Sequence, residues 1–254
     1  MKGNRRLPPL DQLLADHKLE TAAPPRDSLF WEMWRRWQPI AEATLALPYL
    51  QGIDTGLLNP DAYGGYNVAD AYYCFEGAKD YAVAAARAPA GTPLQAFVEH
   101  KLKGYQDYNA TFPDTWHVAS ARDVTPPQIT RHYAAFEGQV VRTLDPVYSL
   151  VVMLPCEYLW AWLAEQMGTP ARTNVYGGWI TGNADPDGSY AMGNVLQAYS
   201  AAHPGAVDPR LAAAIYGCAT YFEYANFAAA TGTQVRTSQS FGLDPAQLPF
   251  PMEI

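Results

Sequence analysis

The sequence predicts an all-α protein, a compact bundle of seven to eight helices, and three observations carry that expectation. No segment keeps the period-2 alternation of a half-buried strand, and no Asn-Gly or Asp-Gly pair lies between β-branched runs. Apolar residues recur instead at helical spacing along the chain. Proline and glycine fall where those stretches begin and end, which is where a helix tolerates them.

The elements follow in order. The first 27 residues, rich in proline and charge, read as an N-terminal arm, and residues 28–254 as one all-helical domain. Ser28 is placed to cap a helix through Phe30, Trp34 and Trp37 that Pro39 bends or interrupts. After LPYLQGIDTGLLNPDAYGG, one helix spans about Ala62 to Ala88 and another Leu94 to about Asn109. A loop from Pro113 to Asp123 leads to Thr125, a cap for a helix that opens on Pro126-Pro127 and ends near Leu144. Asp145-Pro146 caps the next, which carries Pro155 in its interior, reaches Gln166 and stops at Gly168-Thr169-Pro170. Short pieces around Val175 to Thr181 and Ser189 to Ala202 precede a last long helix from Asp208-Pro209 to Ala230. Nothing repeats at a fixed period and no linker divides the chain.

Composition bounds the function. A chain of 254 residues with 49% hydrophobic content has enough apolar surface for a substantial core. The formal net charge of -8 speaks against nucleic acid as the main partner, and Arg35-Arg36 reads as a solvated helix face. The opening MKGNRRLPPLDQ is followed by no apolar run of signal-peptide length. The longest apolar stretch, around Val147 to Leu154, falls far short of the ~20 residues of a membrane span, so a soluble protein without a membrane partner is expected. Cys74, Cys156 and Cys218 are odd in number and show no Cys-x-x-Cys spacing, which fits reduced thiols in a cytoplasm.

Three residues look out of place on apolar faces. Cys156 follows Pro155 inside an apolar helix; a kink there is expected to free amides that favour a thiolate, against the plainer reading of a cysteine packed as a small hydrophobe. Asp70 shares a helix face with Tyr66 and Tyr73, and is either paired structurally or aimed at a ligand. Glu223 lies on one stripe with Tyr216, Thr220 and Phe227, with no Lys or Arg in the neighbouring turns. A raised pKa and general acid–base work are expected of it, or else a structural tie to a tyrosine hydroxyl. Cys74 and Cys218 read as packing residues. The five histidines form no His-x-x-x-His or Glu-x-x-His pair, so the ligands of a di-iron bundle are not supplied, and no phosphate loop or nucleophile elbow is present.

Taken together, LPYLQGIDTGLLNPDAYGGYNVADAYYCFEGA, VVMLPCEYLWAWLAE, VYGGWITGN and YFEYANF resemble, in order and spacing, segments of the TenA/thiaminase II family. The resemblance spans about Leu47 to Ala230. It implies a heme-oxygenase-like bundle, a homotetramer, and cofactor-free hydrolysis of a C–N bond in an aminopyrimidine, for thiamin-pyrimidine salvage. By the same resemblance Cys156 is the nucleophile on the pyrimidine ring, Asp70 holds and protonates its amino edge, and Glu223 carries a proton to the leaving amine. Tyr73 is to bond near the cysteine, and Tyr133 and Tyr66 are to hold the ring. Asn183 stands where the family has a tyrosine, Ala69 where it has Gln, Asn226 where it has a ring, and Leu47-Pro48-Tyr49 where it has His-Pro-Phe. These departures imply a smaller, more polar pocket rim. They leave room for a different amine or heteroaromatic substrate in specialised metabolism, or for a protein that binds a small aromatic ligand without turning it over.

Overall fold

The computed structural model describes residues 21–251, and among these every regular element is helical. Eight of the helices are eight residues or longer, which matches the predicted all-α bundle. In chain order they are α1 (Leu29–Leu45), α2 (Pro48–Thr55), α3 (Pro60–Arg87), α4 (Pro93–Asn109), the short α5 (Phe112–Trp116), α6 (Gln128–Thr143), α7 (Tyr148–Met167), the short α8 (Gly177–Asn183), α9 (Asp187–Ala202) and α10 (Pro209–Ala230). Of the N-terminal arm, residues 1–20 lie outside the described part of the chain.

Helix starts follow proline closely. Pro48, Pro60, Pro93 and Pro209 each occupy the first turn, where their missing N–H costs nothing. Asn59, Thr92 and Asp208 supply the capping side chains for α3, α4 and α10. Four boundaries differ from expectation. α7 starts at Tyr148 with Val147 at its cap position, and Asp145 accepts from the Val147 N–H one step earlier. Ser28 stands at the cap position of α1, but its hydroxyl is buried without a partner. α6 starts at Gln128, behind Pro127, so Thr125 does not cap it. The LPYLQGIDTG segment is itself a helix, α2, closed by Gly56 in the left-handed region at φ 75°, where a Cβ would also stand 3.1 Å from Asn174.

The core is organised around α10. Every residue from Ala212 to Ala228 is buried, and the helix packs on α1, α7, α6, α3 and α2. So central a helix needs small residues where neighbours approach. At Gly217 the Trp37 indole of α1 comes so close that a Cβ would lie 2.4 Å from its Cε2, and the same indole donates to the Ala213 carbonyl at 2.6 Å. α3 lies against α4 on one side and α6 on the other, and α7 against α9, α6 and α8. The inward faces of α3, α6, α7 and α10 thereby converge.

Candidate active site

Each converging helix contributes a ladder spaced by three or four residues. On α3 it is Tyr66, Asp70, Tyr73 and Cys74; on α6, Tyr133 and Glu137; on α7, Cys156 and Trp160; on α10, Glu223, Asn226 and Phe227. The bundle brings Cys156, Asp70, Glu223, Tyr73, Tyr133 and Tyr66 into one region.

Glu223 is 2% exposed and both of its oxygens are held. Tyr133 donates to Oε1 at 3.0 Å, and the Trp160 indole N–H to Oε2 at 3.1 Å. Burial lifts its carboxyl to about 7, the hydrogen bond from Trp160 opposes the rise, and the nearby Asp70 charge adds to it. The expectation of a raised pKa and that of a tie to tyrosine are therefore both met, because the tie is too weak to offset desolvation. Among the described residues Asp70 has no ion pair; its Oδ2 meets the Cys74 thiol at 3.8 Å. Burial raises its carboxyl to about 7 as well. It lines a recess of about 210 Å³ with Tyr66, Pro127, Thr130 and Asn226. Cys74 thus packs against the site rather than only within the core.

Aromatic rings set the walls. Phe227 stacks on Tyr66 at 4.8 Å and 5°, and Phe222 on Tyr133 at 5.3 Å and 9°. Tyr73 lies 4.6 Å from Tyr133, and Trp160 bridges Phe227 and Trp179. Asn226, where a ring was expected, accepts from the Thr130 hydroxyl at 2.7 Å and ties α10 to α6 at the edge of the recess. Asn183 does not reach into this arrangement with its amide, which donates to the Trp179 carbonyl one turn back at 2.7 Å.

Cys156 corrects one expectation. α7 runs through Pro155 as one helix, and the Cys156 thiol donates to the Met153 carbonyl at 2.9 Å. A proline inside a helix removes an N–H, so the group it frees is the carbonyl a turn earlier, an acceptor and not a set of amides. Burial pushes the thiol well above its ordinary 9, the acidic neighbours Glu157, Glu137 and Glu223 push it further, and a hydrogen bond with Tyr105 opposes them. Burial and the hydrogen bond to the Met153 carbonyl both favour the protonated thiol. The hydroxyl against its sulfur is that of Tyr105, at 3.5 Å, and not that of Tyr73.

Tyr73 donates instead to Glu137 Oε1 at 2.5 Å. Glu137 is fully buried, its Oε2 has no partner, and burial raises its carboxyl well above 4.5. Sequence reasoning passed over Tyr105 and Glu137. A signal for Glu137 existed, since Thr130, Tyr133, Glu137 and Val141 make one buried stripe on α6 with a carboxylate at a core position. Tyr105 sits on a helix whose local pattern marks nothing. Among the described residues no group of three or more His, Cys, Asp or Glu is placed to hold a metal ion, and no helix is long and apolar enough to cross a membrane.

A scan against protein-family models gives no match, and neither does a comparison with curated proteins. Solved structures do match. A TenA homologue from Pyrococcus horikoshii OT3 superposes with a TM-score of 0.69 at 18% identity, over 80% of this chain and 98% of that one. A TenA family transcription regulator from Silicibacter sp. TM1040 gives 0.70 at 16%, over 81% and 97%. A protein from Sulfolobus solfataricus P2, provisionally named a TenA-like thiaminase, gives 0.60 at 14%, again over 81% and 97%. Likeness at such identities speaks for architecture: the chain has the heme-oxygenase-like all-α fold of the TenA proteins.

Proposed function

We propose that this chain is a thiaminase II-like hydrolase, a cysteine-dependent aminopyrimidine aminohydrolase that serves thiamin-pyrimidine salvage in the cytoplasm as a homotetramer. The observation that carries the reading is the convergence, in a TenA fold, of one accessible-edged thiol with two carboxyls whose pKa values lie near 7. Near neutral pH such a carboxyl both gives and takes a proton, which is what a general acid–base pair requires.

The reaction balances as one water in and one ammonia out. The Cys156 sulfur, once deprotonated, adds to a ring carbon, and the displaced electron pair is neutralised by a proton from Asp70 at the amino edge of the ring. Collapse of that adduct expels the amine, protonated by Glu223. Water then adds at the vacated carbon and Glu223 takes its proton; the ring re-forms as the thiolate departs and Asp70 regains the proton it gave. Stacked Tyr66 and Phe227 on one side, and Tyr133 on Phe222 on the other, would fix the ring plane.

The second reading keeps the fold and nucleophile but changes the substrate to another amine or heteroaromatic compound. It is favoured by Asn183, whose amide is engaged by its own helix and leaves the tyrosine position without an outward ring. The test is turnover of 4-amino-5-aminomethyl-2-methylpyrimidine and of thiamin, followed by mass spectrometry, beside Cys156→Ala. Hydroxymethyl pyrimidine from the wild type and not from the variant is expected. No product from either compound, with Cys156 still alkylated, would overturn the salvage assignment in favour of the second reading.

A further inference from the structure

A cysteine that attacks as a thiolate needs a hydrogen-bond donor for the charge left behind when its proton goes. The resemblance to TenA proteins gives that place to Tyr73, whose hydroxyl in this chain is engaged by Glu137. Among the described residues two hydrogen bonds reach the Cys156 sulfur, with the Met153 carbonyl at 2.9 Å and with the Tyr105 hydroxyl at 3.5 Å. A thiol has one proton to give, and a carbonyl can only accept. The S–H therefore points at Met153, and the O–H of Tyr105 points at the sulfur. Among the described residues the Tyr105 hydroxyl makes no other hydrogen bond. Three features hold it there. One turn before Tyr105 on α4, Lys101 pairs with Glu157, the residue after Cys156 on α7. Tyr81 of α3 meets the Tyr105 ring edge-on at 5.0 Å and 66°. Gly77, one turn past Tyr73 on α3, leaves room for that ring, since a Cβ there would lie 2.9 Å from Tyr105 Cε1. Glycine weakens a helix interior, so its presence in α3 is explained by the ring and not by the helix.

We propose that Tyr105 is a catalytic residue of this chain, the hydrogen-bond donor that stabilises the Cys156 thiolate in place of Tyr73. Once the thiol has lost its proton, the Met153 carbonyl turns the negative end of its dipole to the sulfur, and the phenol O–H is the donor that remains. Tyr105 keeps its own proton throughout, because burial pushes its phenol well above 10. No bond is made or broken at Tyr105. The other ionisable groups around the pair are Glu157 on α7, Lys101 on α4, Glu137 on α6, Glu223 on α10, and Tyr73, Cys74 and Tyr81 on α3. The proposal rests on the reading of Cys156 as the nucleophile.

Its test does not need the substrate. Iodoacetamide reacts with the thiolate, so the alkylation rate of Cys156, resolved by peptide mass spectrometry from about pH 7 to about pH 9, reports how readily the thiol ionises. A hydrogen bond to a charged group changes the thiolate fraction about 10- to 100-fold. The greater nucleophilicity of the less stabilised thiolate offsets roughly half of that on a logarithmic scale. Tyr105→Phe should therefore be alkylated about 3- to 10-fold more slowly than the wild type at each pH. Loosened packing would open the sulfur to the reagent and speed the reaction, so slowing is the mark of the lost donor. Gly77→Ala keeps the hydroxyl but moves the ring off the sulfur, and should slow alkylation likewise. Reaction of buried Cys74 and Cys218 in the same sample reports unfolding. If Tyr105→Phe unfolds by that measure, Gly77→Ala decides the matter. A rate equal to or above that of the wild type in the folded variant overturns the proposal. Failure of the proposed hydrolysis would show separately, as an absence of turnover in a wild type whose Cys156 is still slowed by Tyr105→Phe.

Discussion

Replacing Glu223 by Gln should stabilise the protein in alkali while disabling it, and the size of that gain follows from the site. Burial holds the Glu223 carboxyl at about 7 in the folded protein against 4.5 in the unfolded chain. A raised carboxyl favours the fold while it is protonated. That stability is fully present below the unfolded value and is lost as pH rises through about 7. One pKa unit corresponds to ~1.4 kcal/mol, so ionising this group costs the fold about 3 kcal/mol once pH is well above 7. Gln has no proton to lose. It does place an amide N–H2 where an acceptor stood, opposite either the Trp160 or the Tyr133 donor, and that costs about one hydrogen bond's worth at every pH. Because this penalty does not depend on pH, comparing two pH values removes it. The assay is urea denaturation of wild type and Glu223→Gln at about pH 5 and about pH 9. The stability difference should move in favour of the variant by about 2 to 3 kcal/mol, or some 5 to 10 °C in Tm for a chain of this size. An unchanged difference between the two pH values would refute the raised carboxyl, and with it the role of Glu223 as an acid near neutrality.

Other outcomes follow from the same contacts. Trp160→Phe keeps the ring packing but removes the N–H that holds Glu223 Oε2, so the alkaline limb of the turnover profile should shift upward by about one pH unit, read from kcat against pH. With Asp70 and Glu223 both held near 7 and both acting first as proton donors, kcat in the wild type should fall steeply as pH rises above about 7. Gly217→Ala should destabilise by about 2 kcal/mol or more, measured by chemical denaturation, because its Cβ would lie 2.4 Å from a Trp37 indole already fixed to the Ala213 carbonyl. Thr130→Val should loosen the α6–α10 clasp at Asn226, raising KM with little change in kcat if the recess binds substrate without taking part in the chemistry.

What could be read along the chain is what local physics writes there. Proline at the first helical turn, capping Asn, Thr and Asp, and the 3.6-residue apolar period placed α3, α4, α7 and α10 to within a few residues. The same periodicity put Asp70 on one face with Tyr66 and Tyr73, and left Glu223 in apolar company without a cation, so both were legible as odd carboxyls. α2 escaped because eight residues offer too few turns for a period, and Ser28 was legible as a position but not as a bond. The partners within the site were decided by packing alone. Tyr73 and Glu137 are separated by 64 residues, and Trp160 and Glu223 by 63. Nothing in either segment's own pattern specifies that its helix will face the other. The protonation of Cys156 belongs to the same class. Its neighbours in sequence suggested freed amides, but the acidic residues that raise its pKa arrive from α6 and α10 as well as from its own helix, and desolvation depends on all of them together. Short-range sterics and hydrogen bonding thus set the helices and their faces, while the charge state and donor of each reacting group were set by which faces the bundle brought together.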